Sequence, residues 1–309
     1  MFVTSVTVRV PAKINLQLAV GPLRRDGYHG LVTVFHAVSL FDDVTVAPAA
    51  ADSVTVTGEG AGSVPAGPDN LALRAVRALR VAVAERGGDA GNGGVAVAIS
   101  KRIPVAGGMA GGSADAAAAL VACDELWCTG LTQQELCTVG AEVGSDVPFA
   151  VLGGTAVGRG RGEQLAPALA SPVSFHWVLA FADGHLPTPT VFRTLDKLRA
   201  GQQVPEPELS NELMAALRAG AVDDLGAALS NDLQEPALSL FPALRKTLDA
   251  GLEAGARGAL VSGSGPTCYF LARDARHATD LAVALSGAGV CRSVATATGP
   301  AEGASVITS

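Results

Sequence analysis

The run Pro104-Val105-Ala106-Gly107-Gly108-Met109-Ala110-Gly111-Gly112-Ser113-Ala114-Asp115 constrains this chain more than any other stretch. Before it, Gly94-Val95-Ala96-Val97-Ala98-Ile99-Ser100 is β-branched and mostly apolar; after it, Asp115 to Trp127 is dominated by Ala and Leu, so the glycines sit where a strand becomes a helix. Gly107, Gly108, Gly111 and Gly112 lack the Cβ atoms that keep an anion off the backbone, and the first helical turn offers unpaired N–H groups at the positive end of its dipole. Two common phosphate patterns fail. In the P-loop frame Gly107 and Gly112 have the required separation, but Ser113 stands where Lys is needed; in the two G-x-G-x-x-G frames Met109 and Ala110 occupy the second glycine. Two readings stand: a loop that cradles phosphate, and a loop whose small residues only allow close packing under a helix.

At 309 residues and 49% apolar content the chain can bury the cores of two medium domains. No apolar run approaches the roughly 20 residues that cross a bilayer. The first residues, where Val6, Val8 and Val10 alternate with Thr7 and Arg9 as in a half-buried strand, lack the basic start and apolar core of a signal peptide, so a cytoplasmic protein without membrane contact is expected. With 22 Lys plus Arg against 29 Asp plus Glu, the net charge of −7 argues against broad nucleic-acid binding and leaves a small anion to be captured by a few cations and backbone N–H groups. Cys123, Cys128, Cys137, Cys268 and Cys291 include no C-x-x-C pair and read as reduced structural thiols; no metal-ligating set is expected.

The pattern of elements is α+β. Val6 to about Val56 reads as several strands, with Val44-Thr45-Val46 and Val54-Thr55-Val56 as short period-two pieces. A helix follows from Leu71, with Asp69 or Asn70 as N-cap, and ends near Gly87-Gly88; Thr132 caps another through Cys137. Gly144-Ser145-Asp146-Val147-Pro148 opens a further segment, and Thr155 to Val157 is a strand. Ala166-Pro167-Ala168-Leu169-Ala170-Ser171-Pro172 is the linker candidate, which divides the chain into domains 1–165 and 166–309. Beyond it, strands Val178–Phe181, Ala259–Ser262 and Cys268–Leu271 alternate with helices around Leu213 to Ala228 and Ala243 to Ala254. The turn Ser262-Gly263-Ser264-Gly265-Pro266-Thr267 either lines the same cleft as the first loop or is only a hairpin connection.

Pro11-Ala12-Lys13-Ile14-Asn15-Leu16, the loop Pro104 to Ala116, and Ser262-Gly263-Ser264-Gly265-Pro266 resemble, in order and spacing, the three motifs of the GHMP kinases, named for galactokinase, homoserine, mevalonate and phosphomevalonate kinases. Arg25-Asp26-Gly27-Tyr28-His29, Lys101-Arg102-Ile103-Pro104, Gly144-Ser145-Asp146-Val147-Pro148 and Pro187-Thr188-Pro189-Thr190-Val191-Phe192 look like one branch of that superfamily, so the resemblance covers essentially the whole chain. It implies an N-terminal ATP-binding domain, a C-terminal ferredoxin-like domain and an active site in the interdomain cleft. The reaction it implies is ATP-dependent phosphorylation of the C2 hydroxyl of a cytidylylated methylerythritol, on the non-mevalonate route to isoprenoid precursors. ATP is then the co-substrate, Mg²⁺ rides on ATP, the acceptor is a small molecule bearing a cytidine diphosphate group, and the enzyme is a monomer or homodimer. The family's commoner loop reads Gly-Leu-Gly and then Ser-Ser; here Met109 and Ala110 replace the Leu and the Gly after it, and Ala114 replaces the second Ser, leaving Ser113 as the only loop hydroxyl.

Phosphorylating an alcohol requires a group to take its proton and positive groups to spread the charge of the moving phosphoryl. The resemblance gives these roles to Asp146 as base and Lys13 as its cation. It puts Asn70, Leu71 and Lys101 on the adenine side, and Pro104, Val105, Ala106, Gly107, Gly108, Met109, Ala110, Gly111, Gly112, Ser113 and Ala114 along the phosphates. Tyr28 and Phe192 become the pair that stacks on cytosine, His29 reads its edge through the backbone, and Asn15 and Thr188 bond the acceptor. Plainer roles stand beside these: Asp146 capping a turn, Lys13 and Lys101 solvated, Asn70 capping a helix, Asn15 ending a strand, Thr188 shaping a turn, His29 structural. Two other functions compete: another GHMP kinase of homoserine or mevalonate type, and a nucleotide-binding regulator that has lost phosphotransfer.

Overall fold

The alternation of Val6, Val8 and Val10 carries into a strand far longer than the sequence pattern shows. In the computed structural model, which describes residues 4–91 and 93–308, the chain opens with β1 (Val6–Leu23), β2 (His29–Ala49) and β3 (Ser53–Gly58), then α1 (Leu71–Glu85) and β4 (Gly94–Lys101). Residues 1–3, at the head of the segment read as the first strand, lie outside the described residues. Helices α2 (Gly111–Trp127), α3 (Gln133–Val143) and α4 (Val147–Leu152) precede β5 (Thr155–Gly160), β6 (Gln164–Pro167) and β7 (Phe175–Phe181). The remainder comprises α5 (Thr188–Leu198), α6 (Asn211–Ala219), α7 (Val222–Ala228), β8 (Ser230–Asn231), α8 (Gln234–Leu240), α9 (Ala243–Glu253), β9 (Gly258–Val261), β10 (Cys268–Ala272), α10 (Ala275–Ala288), β11 (Ser293–Gly299) and β12 (Ser305–Thr308).

Among the described residues the strands form two sheets. The first runs β12-β1-β2-β4-β3, with β5 and β6 continuing from the early half of β2 and β8 lying parallel to β1. β2 serves two partners because it is long: Leu31–His36 pair with β5 and Asp43–Ala49 with β4. The register between β1 and β2 shifts between Pro11 and Ala12 and again between Asn15 and Gln17, irregularities that bend the strands where the cleft begins. Burial along β1 stops alternating from Pro11 to Leu18, because the face carrying Lys13, Asn15 and Gln17 is covered as well as the face carrying Ala12, Ile14 and Leu16.

The second sheet, β11-β7-β10-β9, is antiparallel throughout. Period two sorts its side chains: Trp177, Leu179, Tyr269 and Leu271 join the core of the first half, whereas Val178, Ala180, Cys268 and Phe270 face α5, α8, α9 and α10. The two halves therefore share a core, and β8 and β12 return from the second half to flank β1. Helix α2 is buried nearly all round, from Ala114 through Cys123, which its small residues allow, and this fixes its N-terminus against the cleft.

Several expectations need correction. α2 begins at Gly111 rather than near Asp115, since a first turn tolerates glycine that a helix interior does not. The tract from Ala166 is not a plain linker at its start: Ala166 and Pro167 belong to β6, an edge strand where a proline displaces no ladder bond. Thr188 does not shape a free turn, because Pro187 and Thr188-Pro189 form the cap and first turn of α5, positions whose N–H groups need no intrahelical partner. The helix around Leu213 to Ala228 is two, broken at Gly220. All five cysteines are free, and burial pushes Cys123 up to about 12 and Cys137 to about 11. Among the described residues no helix is long and apolar enough to cross a membrane.

Candidate active site

The glycine loop is held from below and behind. Asp42 of β2 accepts the backbone N–H groups of Arg102 (2.6 Å) and Ile103 (2.9 Å) and a bond from Lys101 Nζ (2.6 Å), which also donates to Asp115 Oδ2 at 2.8 Å. This cluster is buried. Burial works against the Lys101 ammonium, but Asp115 and Asp42 outweigh it and hold its pKa above the ordinary value. Burial pushes the Asp115 carboxyl up to about 7, with Lys101 opposing and Asp42 reinforcing. Met109 is wholly buried under the loop, its carbonyl accepting Lys13 N–H at 3.3 Å. Ala110, at φ 59°, caps α2 without a side-chain bond, so the first N–H groups at Gly111, Gly112 and Ser113 have no side-chain cap.

From above, the 262–267 turn presses on the loop. Ser262 Oγ donates to the Gly108 carbonyl at 3.0 Å and Thr267 N–H to the Gly107 carbonyl at 3.3 Å. At Gly108, φ is +75° and a Cβ would collide with the Ser262 carbonyl oxygen, so only glycine lets loop and turn meet. The turn is both things the sequence left open: it joins β9 to β10, and it forms a wall of the cleft through Gly263 and Ser264.

Lys13 lies within β1, not at its end, and is neither solvated nor a surface cation. Its Nζ donates to Asn15 Oδ1 (2.7 Å) and the Gly108 carbonyl (3.1 Å) and stands 4.0 Å from Asp146 Oδ2. Burial lowers the pKa of the Lys13 ammonium, and Asp146 opposes that. Asn15 is oriented by its other end, with Nδ2 donating to Thr33 Oγ1 at 2.8 Å and that hydroxyl to the Gln17 carbonyl at 2.7 Å. Asp146 occupies the position before α4 yet makes no capping bond with its side chain, so the carboxylate is left to face Lys13 and the cleft.

Three cavities join end to end. The central one, about 400 Å³, is lined by Lys13, Asn15, Asp146, Ser113 and the loop glycines. It shares Leu71, Ala106 and Gly112 with a cavity of about 240 Å³ between α1, Lys101 and Val105. On the other side it shares Leu31, Arg161, Thr188 and Phe192 with one of about 430 Å³ that also holds Tyr28 and His29. Most of the predicted residues thus fall into three groups along one trough.

Some do so differently from the expectation. Asn70 caps α1, with Oδ1 accepting Ala72 N–H at 2.9 Å and Nδ2 donating to the Pro65 carbonyl at 2.8 Å, so its amide shapes the small cavity. The Lys101 ammonium is held by its two carboxylates, so it is not solvated. Pro104 lines a separate hollow beside Arg292, while Met109 and Ala114 are core beneath the loop. Phe192 stacks on His29, with centroids 5.4 Å apart, and His29 Nδ1 bonds the Gly21 carbonyl at 2.8 Å. Tyr28 lies beneath the Arg161 guanidinium, 4.7 Å from its centroid, across the same cavity. Thr188 Oγ1 bonds Ser264 Oγ at 2.8 Å, linking α5 to the turn. Sequence reading missed Arg161 and Thr33. Arg161 carries no stronger signal than a cation between two glycines of a hairpin.

A glycine-cradled helix terminus faces a Lys–Asp pair between two cavities, an arrangement suited to phosphoryl transfer onto a small molecule, and the comparisons place the chain among kinases of that class. Residues 70–154 match the GHMP kinases N terminal domain and residues 213–291 the GHMP kinases C terminal domain. A protein of Thermobifida fusca named 4-diphosphocytidyl-2-C-methyl-D-erythritol kinase is 56% identical, the alignment covering 98% of this chain and 99% of that one. A crystal structure of 4-(cytidine 5'-diphospho)-2C-methyl-D-erythritol kinase superposes with a TM-score of 0.74 at 34% identity, over 94% of this chain and 98% of that one. A homoserine kinase from Cytophaga hutchinsonii superposes at 0.76 with 18% identity, over 99% and 98%, a likeness of fold alone. The chain belongs to the 4-diphosphocytidyl-2-C-methyl-D-erythritol kinase family of the GHMP kinases.

Proposed function

We propose that the protein transfers the γ-phosphoryl group of ATP to the C2 hydroxyl of 4-diphosphocytidyl-2-C-methyl-D-erythritol, giving the 2-phosphate and ADP. The observation that carries this is the Lys13–Asp146 pair, 4.0 Å apart, facing the loop glycines in a cavity that opens at both ends into others of base-sized volume. The acceptor oxygen forms a bond to Pγ as the bond from Pγ to the β-phosphate oxygen breaks; the hydroxyl proton passes to Asp146, and ADP leaves. Lys13, held as a donor by Asn15 and the Gly108 carbonyl, orients Asp146 from 4.0 Å and offsets charge on the moving group.

The adenine is assigned to the cavity beside Asn70, Leu71 and Lys101, the phosphates to the N–H groups at Gly107 to Ser113, and the cytosine to the cavity of Tyr28, His29 and Phe192. Asn15 and Thr188 bond the acceptor between them. A Mg²⁺ would be carried by ATP oxygens and water, with the Ser113 hydroxyl as the loop's side-chain oxygen toward it. Such an ion neutralises phosphate charge. The division at 165 and 166 puts the ATP side in the first domain, with the turn at 262–267 and α5 supplied by the second.

The test is ADP release with Mg-ATP and the cytidylylated alcohol, beside mevalonate and homoserine as acceptors. Turnover with the first alone is expected. Asp146→Asn should lower kcat by about 10²- to 10⁴-fold while ATP binding persists; turnover with another acceptor, or an active Asp146→Asn enzyme, overturns the assignment.

A further inference from the structure

We propose that Arg161 binds the diphosphate of the acceptor and sets the enzyme's preference for a cytidine diphosphate over a bare nucleoside, an inference that rests on the function proposed above. The two larger cavities meet at four residues, Leu31, Arg161, Thr188 and Phe192, and Arg161 alone among them is charged. A ligand with its base near Tyr28 and Phe192 and its hydroxyl near Asp146 has its linker at this junction. That linker is a diphosphate with about two negative charges, inside a protein of net charge −7.

The other nearby cations are engaged or displaced from the junction. Lys13 is bonded to Asn15 and the Gly108 carbonyl, and Arg193 lines the outer cavity alone and donates to Thr190 Oγ1 at 2.9 Å. The Arg161 guanidinium, by contrast, has no carboxylate within ion-pair distance among the described residues. Glu163 holds its backbone instead, Oε2 accepting Arg161 N–H at 2.7 Å across the β5–β6 turn. The side chain is steadied by the Tyr28 ring, which leaves its N–H groups free for oxygen acceptors. A planar fork of donors beside a diphosphate is the arrangement in which arginine outperforms lysine.

Calorimetric titration of the full-length protein with CDP and with cytidine separates the possibilities. Arg161→Gln should weaken CDP by about ten- to a hundredfold, the range for hydrogen bonds to charged groups, and leave cytidine unchanged. Arg161→Lys should recover part of the loss, and in turnover the KM for the acceptor should rise while that for ATP does not. Equal weakening of CDP and cytidine would mean that Arg161 acts only through Tyr28, and unchanged CDP binding would mean no role; either overturns the proposal and leaves the site reading standing. A wild-type protein that binds neither CDP nor cytidine removes that reading and this proposal together.

Discussion

Gly108 is where the glycine loop meets the 262–267 turn, and replacing it by alanine should separate them. Its φ of +75° costs an alanine about 1–2 kcal/mol. A Cβ would also press on the Ser262 carbonyl and come to 3.0 Å from Gly265 N, so backbone has to move rather than a flexible side chain. The Gly108 carbonyl accepts bonds from Lys13 Nζ at 3.1 Å and Ser262 Oγ at 3.0 Å. Losing them costs about 1.5–3 kcal/mol for the charged donor and about 0.5–1.5 for the neutral one. Displacing Lys13 against Asp146 by about 1 Å costs on the order of a hundredfold in rate. Steady-state ADP release should therefore show kcat down about a hundredfold in Gly108→Ala, and thermal melting should show a midpoint several degrees lower. Gly112→Ala is the stability control: its Cβ would meet only Leu71 Cδ1, at 3.2 Å, the end of a movable side chain, so its midpoint should stay near wild type. Wild-type turnover and melting in Gly108→Ala, or an equal loss of stability in Gly112→Ala, would refute the reasoning.

The buried cluster behind the loop should respond unequally to its two carboxylates. Asp42 holds three donors, so Asp42→Ala should cost about 3–5 kcal/mol in urea unfolding. Asp115 Oδ1 has no partner among the described residues and its carboxyl is pushed up to about 7, so Asp115→Asn should cost far less; equal losses would sink this account. His36, wholly buried between the sheets with Nδ1 on Thr155 Oγ1 at 2.8 Å, is driven down to about 3 by burial, with the Gly299 backbone opposing. Because the unfolded histidine titrates near 6.5, it binds a proton the native state refuses, and stability falls as pH drops from about 6.5 toward 3, by at most about 1.4 kcal/mol per pH unit. His36→Gln should flatten this limb of the urea midpoint against pH, and an unaltered slope would exclude His36 as its source.

Where a local signal exists, the sequence was readable. Asn70 and Thr132 cap helices as their spacing to Ala72 and Glu135 allows, and the strand before the glycine loop runs from Gly94 to Lys101 as its β-branched residues suggest. The misreadings arise where tertiary contact overrules the local pattern. Pro187 and Pro189 look like a turn in sequence, but a helix start accepts both, and α5 carries Phe192 to the cleft wall. Val10 to Leu18 loses its alternation because a second face is covered, which no periodicity reports. Lys101 looks like a solvated cation because Asp42, 59 residues earlier, is invisible to any motif around it.

The central pair also shows why charge at this site has to be judged jointly. The Lys13 side chain is about 9% exposed, and burial alone favours its neutral form. Asp146, three times as exposed at 31%, is the charge that opposes this. On the function proposed above its carboxylate has two roles: it faces the acceptor hydroxyl, and it works against loss of the proton from the lysine beside the moving phosphoryl group. Neutralising Asp146 would remove the proposed base and weaken the cation's hold on its charge, so the effects of altering Lys13 and Asp146 should fall well short of additive. A sequence places the two residues 133 positions apart; only the fold, by threading α4 against β1 beneath the glycine loop, makes them a single chemical unit.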